Sequence, residues 1–377
     1  MSDFETRNKY FDRLFNTPGL RWMGQNTNHL PLPAAVKQAM IDSIEADEFR
    51  AYAPPLGFEE LRAGIVDDLG LPGAIAMVTD GGVEALYHLC HCFLKPGDGF
   101  VTTDPSWKWP IAFSRAVGAT VTEIPIYDER CGYSLSAAML ERAVDDKTRL
   151  IYLVDPNNPL GSCISADEMR GIVQIAKRLG ALIVHDCTYR HFATDHTLAA
   201  RLYPEGTLTI YSFSKWLGTA GLRIGAVVGA PDRIARLASA PPNNLGSNVI
   251  SQRAAIAGLK MRDSWFPEVN AIQRRNQARI KKAADAIPGF RLPVYPSNGN
   301  FVVVECIDAG VRPEALVAAM QEHGIMIRQG VYHTARFGNR FIKVSTTVPE
   351  AWAEEFCSLL PTLIEQARSM NDVPELF

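Results

Sequence analysis

From about residue 75 the chain repeats one rhythm: a short apolar run ends in polar turn residues, and a stretch of helical period follows. Parallel strands need a crossover between them rather than a hairpin, so this alternation predicts a parallel sheet covered by helices. The strands are read as AIAMVT (74–79), GFVTT (99–103), RLIYLV (149–154), ALIVH (181–185), TLTIYS (207–212) and RIGAVVG (223–229). The clearest helix opens at Ser165 with Glu168 as a capping box. Met169, Ile172, Val173, Ala176 and Leu179 form its apolar face, and Gly180 ends it.

After about residue 262 the rhythm changes. A long charged helix containing RRNQARIKK leads into a smaller unit with strands FVVVEC, IMIRQ and RFIKVS, closed by the helices RPEALVAAMQEHG and PEAWAEEFCSLLPTLIEQARSM. The N-terminal LPLPAAVKQAMIDSIEA lacks the strand rhythm and is expected to pack on that unit. The expected fold is α/β: a large cofactor-binding domain (46–261) with a mostly parallel, doubly wound sheet, and a smaller α+β domain built from 1–45 and 262–377 with the linking helix. A chain of 377 residues, 47% hydrophobic, is long enough for both cores.

Charge and cysteine content exclude several classes of partner. The net charge is −3, with no block of like charge, which gives nucleic acid or an anionic membrane little to bind. Seven cysteines, an odd number in apolar contexts, fit reduced thiols better than a disulfide scaffold. The N-terminus alternates charge with aromatics, and no apolar run reaches about eighteen residues. A soluble, untargeted, cytoplasmic protein is expected.

Ligands of open parallel sheets bind outside the carboxyl ends of the strands, where loops and helix N-termini converge. After the first strand, TDGGVEALYHL places Gly81 and Gly82 at a helix N-terminus, a cradle for phosphate; two glycines alone also fit a plain strand-to-helix turn. Neither a Walker loop nor GxGxxG occurs. After the second, Trp107 in DPSWKWP can stack on a flat heterocycle or simply pack. After the third, the prolines of DPNNPLG hold the Asn158 amide in a definite direction, or form a structural corner. After the fourth, HDCTYRHF sets Asp186 directly behind an apolar strand, where a carboxylate needs a partner: a protonated ring nitrogen or an arginine. Tyr189, three residues on, can donate to a ligand oxygen. After the fifth, YSFSKWLGTAGLRIG puts Lys215 in a glycine- and serine-rich turn between buried strands, where desolvation makes an amine nucleophilic toward aldehydes; Arg223 is a candidate anion clamp.

Read in order, these ends offer an anion cradle, a stacking ring, an amide, a buried carboxylate and a buried lysine. That set complements pyridoxal 5'-phosphate, which needs a Schiff-base lysine, an acid at its pyridine nitrogen, donors at its phenolic oxygen and a phosphate site. A competing cluster, HLCHC, holds His88, Cys90, His91 and Cys92. On a helix only His88, His91 and Cys92 share a face, and the segment lies within an apolar helix, so packing is the expected role and no metal is expected.

From about residue 20 to 365 these motifs resemble the aspartate aminotransferase superfamily of fold type I pyridoxal-phosphate enzymes. In spacing they are most similar to the class I/II aminotransferases, which include histidinol-phosphate aminotransferase. SFSK with an arginine eight residues later implies Lys215 as the Schiff-base lysine, with Ser212, Ser214 and Arg223 on the cofactor phosphate beside the backbone of Gly81 and Gly82. DPNNPLG implies Asn158 on the phenolic oxygen. DCTY implies Asp186 on the pyridine nitrogen and Tyr189 on the phenolic oxygen, and PSW implies Trp107 stacked on the ring. AYAPPLGFEELR resembles a tyrosine-bearing segment, so Tyr52 is implied to reach the phosphate of a neighbouring subunit, in a homodimer with shared sites.

The resemblance implies ping-pong transfer of an amino group between an amino acid and a 2-keto acid, with Lys215 as the proton-moving base. A lyase, decarboxylase or oxidase acting on an amino acid is the alternative. One position departs from the family. An arginine usually grips the substrate's α-carboxylate in a strand of the form aromatic, aliphatic, arginine, aliphatic, serine, whereas FIKVS here carries Lys343. Lysine supplies charge without the bidentate fork, so Arg340 or Arg328 is read as a supplement. GQNTNHLP resembles the substrate-side asparagine segment of the histidinol-phosphate enzymes, which points to Asn26 and Asn28.

Overall fold

The computed structural model describes residues 3–240, 245–370 and 372–373; positions 371 and 374–377, at the end of the expected small domain, lie outside the described residues. In chain order the strands are β1 (Arg21–Trp22), β2 (Ile75–Thr79), β3 (Gly99–Asp104), β4 (Thr120–Pro125), β5 (Thr148–Val154), β6 (Leu182–Asp186), β7 (Thr207–Ser212), β8 (Gly225–Gly229), β9 (Phe301–Glu305), β10 (Ile325–Met326), β11 (Arg328–Gln329) and β12 (Phe341–Ser345). Seven of them form the large sheet, in the order β2-β8-β7-β6-β5-β3-β4.

Strands β3 to β7 are parallel, as the alternation predicts. Strand β8 runs antiparallel to both β7 and β2, because the link from Phe213 to Ile224 contains a single short 3-10 turn and no crossover helix. Lys215 and Arg223 both ride on that link. Strand β4 escapes the sequence reading: it is an edge strand whose residues are mostly exposed or half-buried, so it shows no continuous apolar run.

The helix Ala166–Leu179 begins and ends where its caps place it. Ser165 Oγ accepts from the Glu168 N–H at 3.3 Å, and Gly180 closes the helix in the left-handed region. The Glu168 carboxylate turns to the Ala137 N–H instead of back to Ser165, so only half of the expected capping box forms.

The long helix spans Val249–Asp285, so position 262 falls inside it. Its first half packs Ala254, Ala255 and Phe266 into the large-domain core with Trp216, and its last turns place Ile280 and Ala284 in the small-domain core. The N-terminal segment divides in the same way. Strand β1 pairs in parallel with β10, but the helix Ala34–Glu45 sends Val36 into the large core rather than onto the C-terminal unit, because it lies along the first half of the long helix. The stretch IMIRQ divides at Ile327: β10 pairs with β1, whereas β11 joins the antiparallel sheet β11-β12-β9. This small sheet stands over the carboxyl ends of the large one and carries Arg328 and Lys343 there as register partners.

Candidate active site

The carboxyl ends of β5, β6 and β7, the N-terminus of the helix Gly82–Phe93 and the face of β11 and β12 enclose a cavity of about 290 Å³. Asp186, the last residue of β6, is 5% exposed. Its Oδ2 accepts from the Tyr152 hydroxyl at 2.9 Å, and its Oδ1 accepts from the Thr188 N–H at 3.1 Å and the Thr188 hydroxyl at 2.6 Å. Burial pushes its carboxyl up, and these donors oppose the rise.

Lys215 faces the same cavity, where Nζ donates to the Gln25 carbonyl at 2.9 Å. Burial, with the Arg223 guanidinium as the next contribution, pushes its amine down to about 8. An amine with that value is neutral in about one molecule in ten at pH 7, far more than an ordinary lysine, and the neutral form is the nucleophile and base.

At the other end, Gly81 holds φ at +87° ahead of the helix that begins at Gly82, and a Cβ there would run into the Arg223 guanidinium. Arg223 donates to the carbonyls of Ala220 at 2.9 Å and Asp80 at 3.4 Å. Ser212 and Ser214 line the cavity beside it. Backbone N–H groups at a helix N-terminus, two hydroxyls and a guanidinium suit a phosphate dianion. Across the cavity, the Tyr189 hydroxyl accepts from Asn26 Nδ2 at 2.9 Å, and burial raises its phenol while that N–H lowers it. Trp107 lies on the wall with its ring centroid 6.5 Å from that of Tyr332. The donor set fits pyridoxal phosphate: an amine for the aldehyde, a carboxylate for the ring nitrogen, a cradle for the phosphate, and Asn158 and Tyr189 between them.

Lys343 also lines the cavity, only 3% exposed, with Nζ 3.5 Å from Asn158 Oδ1. Burial, then Arg328, then Lys215 hold its amine well below the usual lysine range. Arg328 shares the wall, whereas Arg340 does not: it ion-pairs with the fully buried Glu305 at 2.6 Å. Asn28 is likewise outside the lining, donating to the Trp216 carbonyl at 3.1 Å and accepting from the Leu30 N–H at 3.0 Å. Its neighbour Asn26 takes the place on the wall. Tyr52 lies outside the cavity of its own chain and is 81% exposed. Tyr152 and Thr188, which hold Asp186, were not singled out from sequence. Their signals are a tyrosine inside an otherwise apolar strand and a threonine two residues after an aspartate.

The HLCHC side chains diverge. His91 Nδ1 meets the Tyr87 carbonyl at 2.9 Å, His88 faces Glu84, and Cys90 accepts from the Ser114 hydroxyl. Among the described residues, His185, Cys187 and His196 do place ligand-type atoms within 4.8 Å of one another. The polarity of their hydrogen bonds argues against a metal there. His185 Nδ1 accepts from the Ala199 N–H, which leaves the ring proton on Nε2, 3.5 Å from Asp155 Oδ2. His196 Nε2 lies 3.2 Å from the same oxygen. The two imidazoles thus face the Asp155 carboxylate, with His196 Nε2 also 3.0 Å from the Asp155 carbonyl; burial raises the carboxyl, and the two histidines outweigh it and hold it well below the usual range.

Against known families, residues 19–360 match "Aminotransferase class I and II". The chain belongs to the class I and II aminotransferases. Histidinol-phosphate aminotransferase 2 of Ralstonia nicotianae is 29% identical over 338 residues, which cover 87% of this chain and 84% of the relative. The aspartate/prephenate aminotransferase of Thermus thermophilus is 25% identical over 327 residues, 84% of each chain. Two solved structures share the fold. The N-succinyldiaminopimelate aminotransferase of Mycobacterium tuberculosis has a TM-score of 0.84 at 24% identity, covering 94% of this chain and 96% of that one. The T. thermophilus aspartate aminotransferase with maleate has a TM-score of 0.82 at 21% identity, covering 96% of each. This aminotransferase is thus an α/β enzyme of fold type I, transferring amino groups with the pyridoxal-phosphate chemistry of its class. No helix among its described residues is long and apolar enough to cross a membrane.

Proposed function

We propose that this aminotransferase holds pyridoxal phosphate on Lys215 and moves an amino group from an amino acid to a 2-keto acid in two half-reactions. The observation that carries the reading is the convergence of the Lys215 amine, the hydrogen-bonded Asp186 carboxylate and the Gly82–Ser212–Ser214–Arg223 cradle on one cavity. When bound, the cofactor supplies an electron sink for the carbanion formed at the substrate's α carbon. Asp186 keeps the ring nitrogen protonated, and Tyr152 and Thr188 fix the direction of its carboxylate. Arg223, the serines and the helix N-terminus bind the phosphate, Trp107 packs along the ring, and Asn158 and Tyr189 hold the phenolic oxygen. With the substrate amine in place of its own, the free Lys215 Nζ would take the proton from the substrate's α carbon and deliver that same proton to the carbon that keeps the amino group. Lys343 binds the substrate carboxylate, with Arg328 on the same wall.

Two identical subunits are proposed to share their sites, since Tyr52 is turned away from its own cavity and exposed to a partner. The proposed location is the cytoplasm, in keeping with seven free cysteines.

The test is direct. Holoenzyme should show a visible absorption band that an amino donor bleaches and a keto acid restores, and borohydride should attach the cofactor to Lys215. A protein lacking the band, or labelled elsewhere, overturns the assignment. Release of product without consumption of a keto acid overturns transamination.

A further inference from the structure

Asn26 is held more tightly than its place in an N-terminal loop requires. Its backbone is left-handed, φ +55°, a conformation that asparagine adopts more readily than other residues with a side chain. It is 1% exposed. Its N–H donates to Ser345 Oγ at 2.8 Å and its carbonyl accepts from Asn300 Nδ2 at 2.9 Å. Anchors on β12 and on the turn before β9 thereby press its side chain against one target, the Tyr189 hydroxyl, 2.9 Å from Nδ2. The Asn26 Oδ1 is buried without a hydrogen-bond partner. A residue kept at the cost of a buried, unsatisfied acceptor is kept for its N–H.

A phenol has one proton to give, and its lone pairs accept. With the Asn26 N–H seated on the acceptor side, the Tyr189 proton cannot point back toward Asn26. The Tyr189 ring is fixed edge-on to Phe301 at 5.1 Å. The ionisable groups facing the hydroxyl are Asp186 and Tyr332, with Lys215 on the same wall.

We propose that Asn26 is a positioning residue that orients the Tyr189 proton into the cavity, making this hydroxyl a dedicated donor to the cofactor's phenolic oxygen. The inference rests on the cofactor reading above. Donation to that oxygen stabilises its anionic form, which lowers the pH at which the bound cofactor loses its proton.

The experiment is a spectroscopic pH titration of holoenzyme, read at the visible band without turnover. Asn26→Asp keeps the shape but replaces the N–H with an acceptor, which draws the Tyr189 proton away from the cavity. Its midpoint should rise by about one pH unit, a tenfold change in proton affinity. Asn26→Ala, which adds no charge, should raise the midpoint by less. In a Tyr189→Phe background both effects should shrink to within about a third of a unit, since the residue acts through the tyrosine. An Asn26→Asp shift of equal size in both backgrounds would mean a charge effect alone and overturns the proposal. An unmoved midpoint in both single variants, folded by circular dichroism, overturns it as well. Wild-type protein with no visible band would instead bring down the cofactor reading on which the inference stands.

Discussion

At the floor of the cavity, Asp186 accepts three hydrogen bonds and Arg223 donates to two backbone carbonyls. At the rim, Lys343 donates to Asn158 Oδ1 at a long 3.5 Å, lies over the Phe301 ring at 5.3 Å, and faces Arg328 and Lys215. The charged groups of the floor are held by neutral hydrogen-bond partners before anything binds. The Lys343 amine at the rim is buried without a counter-ion among the described residues and holds its proton weakly, so an anion bound beside it would favour its charged form. On the proposed function, the floor would serve a group that stays and the rim one that comes and goes.

The largest expected effect lies on the floor. Lys215→Ala should lower kcat by about 10⁴-fold or more and abolish the visible band, while the phosphate cradle still retains cofactor by equilibrium dialysis. Retained turnover would remove the lysine from the chemistry.

At the rim, Lys343→Met should lower kcat/KM by about 10- to 100-fold, chiefly through KM. An unchanged KM for the best amino donor would take Lys343 out of carboxylate binding. Arg340→Ala should leave KM alone and instead lower stability by about 2 kcal/mol in thermal or denaturant unfolding, because Glu305 loses one of its two arginines, Arg291 remaining. A raised KM in that variant would restore Arg340 to the site.

The smallest effect has the opposite sign. In cofactor-free protein Lys343→Met should raise stability at pH 7 by about 1 kcal/mol. The folded state holds the Lys343 and Lys215 protons more weakly than the unfolded chain does, so unfolding takes up protons and stability increases with pH. For Lys215 the gain sets in above its folded value of about 8 and continues toward the unfolded lysine value. Wild-type cofactor-free protein should therefore gain stability on this account between pH 7 and pH 9, and Lys343→Met should gain less. Parallel pH profiles for the two proteins would show that Lys343 is not a strained cation.

The same contrast explains what the sequence reveals. Floor residues follow apolar strands directly, so Asp186 and Lys215 declare themselves by a polar residue placed where burial is expected. Parallel β3 and β5 to β7 are legible for the same reason, since both faces are covered. The edge strand β4 is not, because it lacks an apolar run, and β8 is legible as a strand but not in its direction, which it owes to the length of a loop. At the rim, proximity along the chain misleads. Arg340 is three residues from Lys343 but turns to Glu305, and Asn28 is two residues from Asn26 but caps a loop onto Trp216. Only pairing across the small sheet puts Arg328 beside Lys343.

The bond from the Asn26 N–H to Ser345 joins residues 319 positions apart. During synthesis the floor is complete once β8 has emerged, yet the loop that carries Gln25 and Asn26 must wait for more than a hundred further residues before its anchor exists. At about 5–20 residues per second that wait lasts several seconds. A chain that stops short of β12 therefore has Lys215 in place but lacks the Ser345 anchor of Asn26, and with it the Lys343 and Arg328 pairing at the rim.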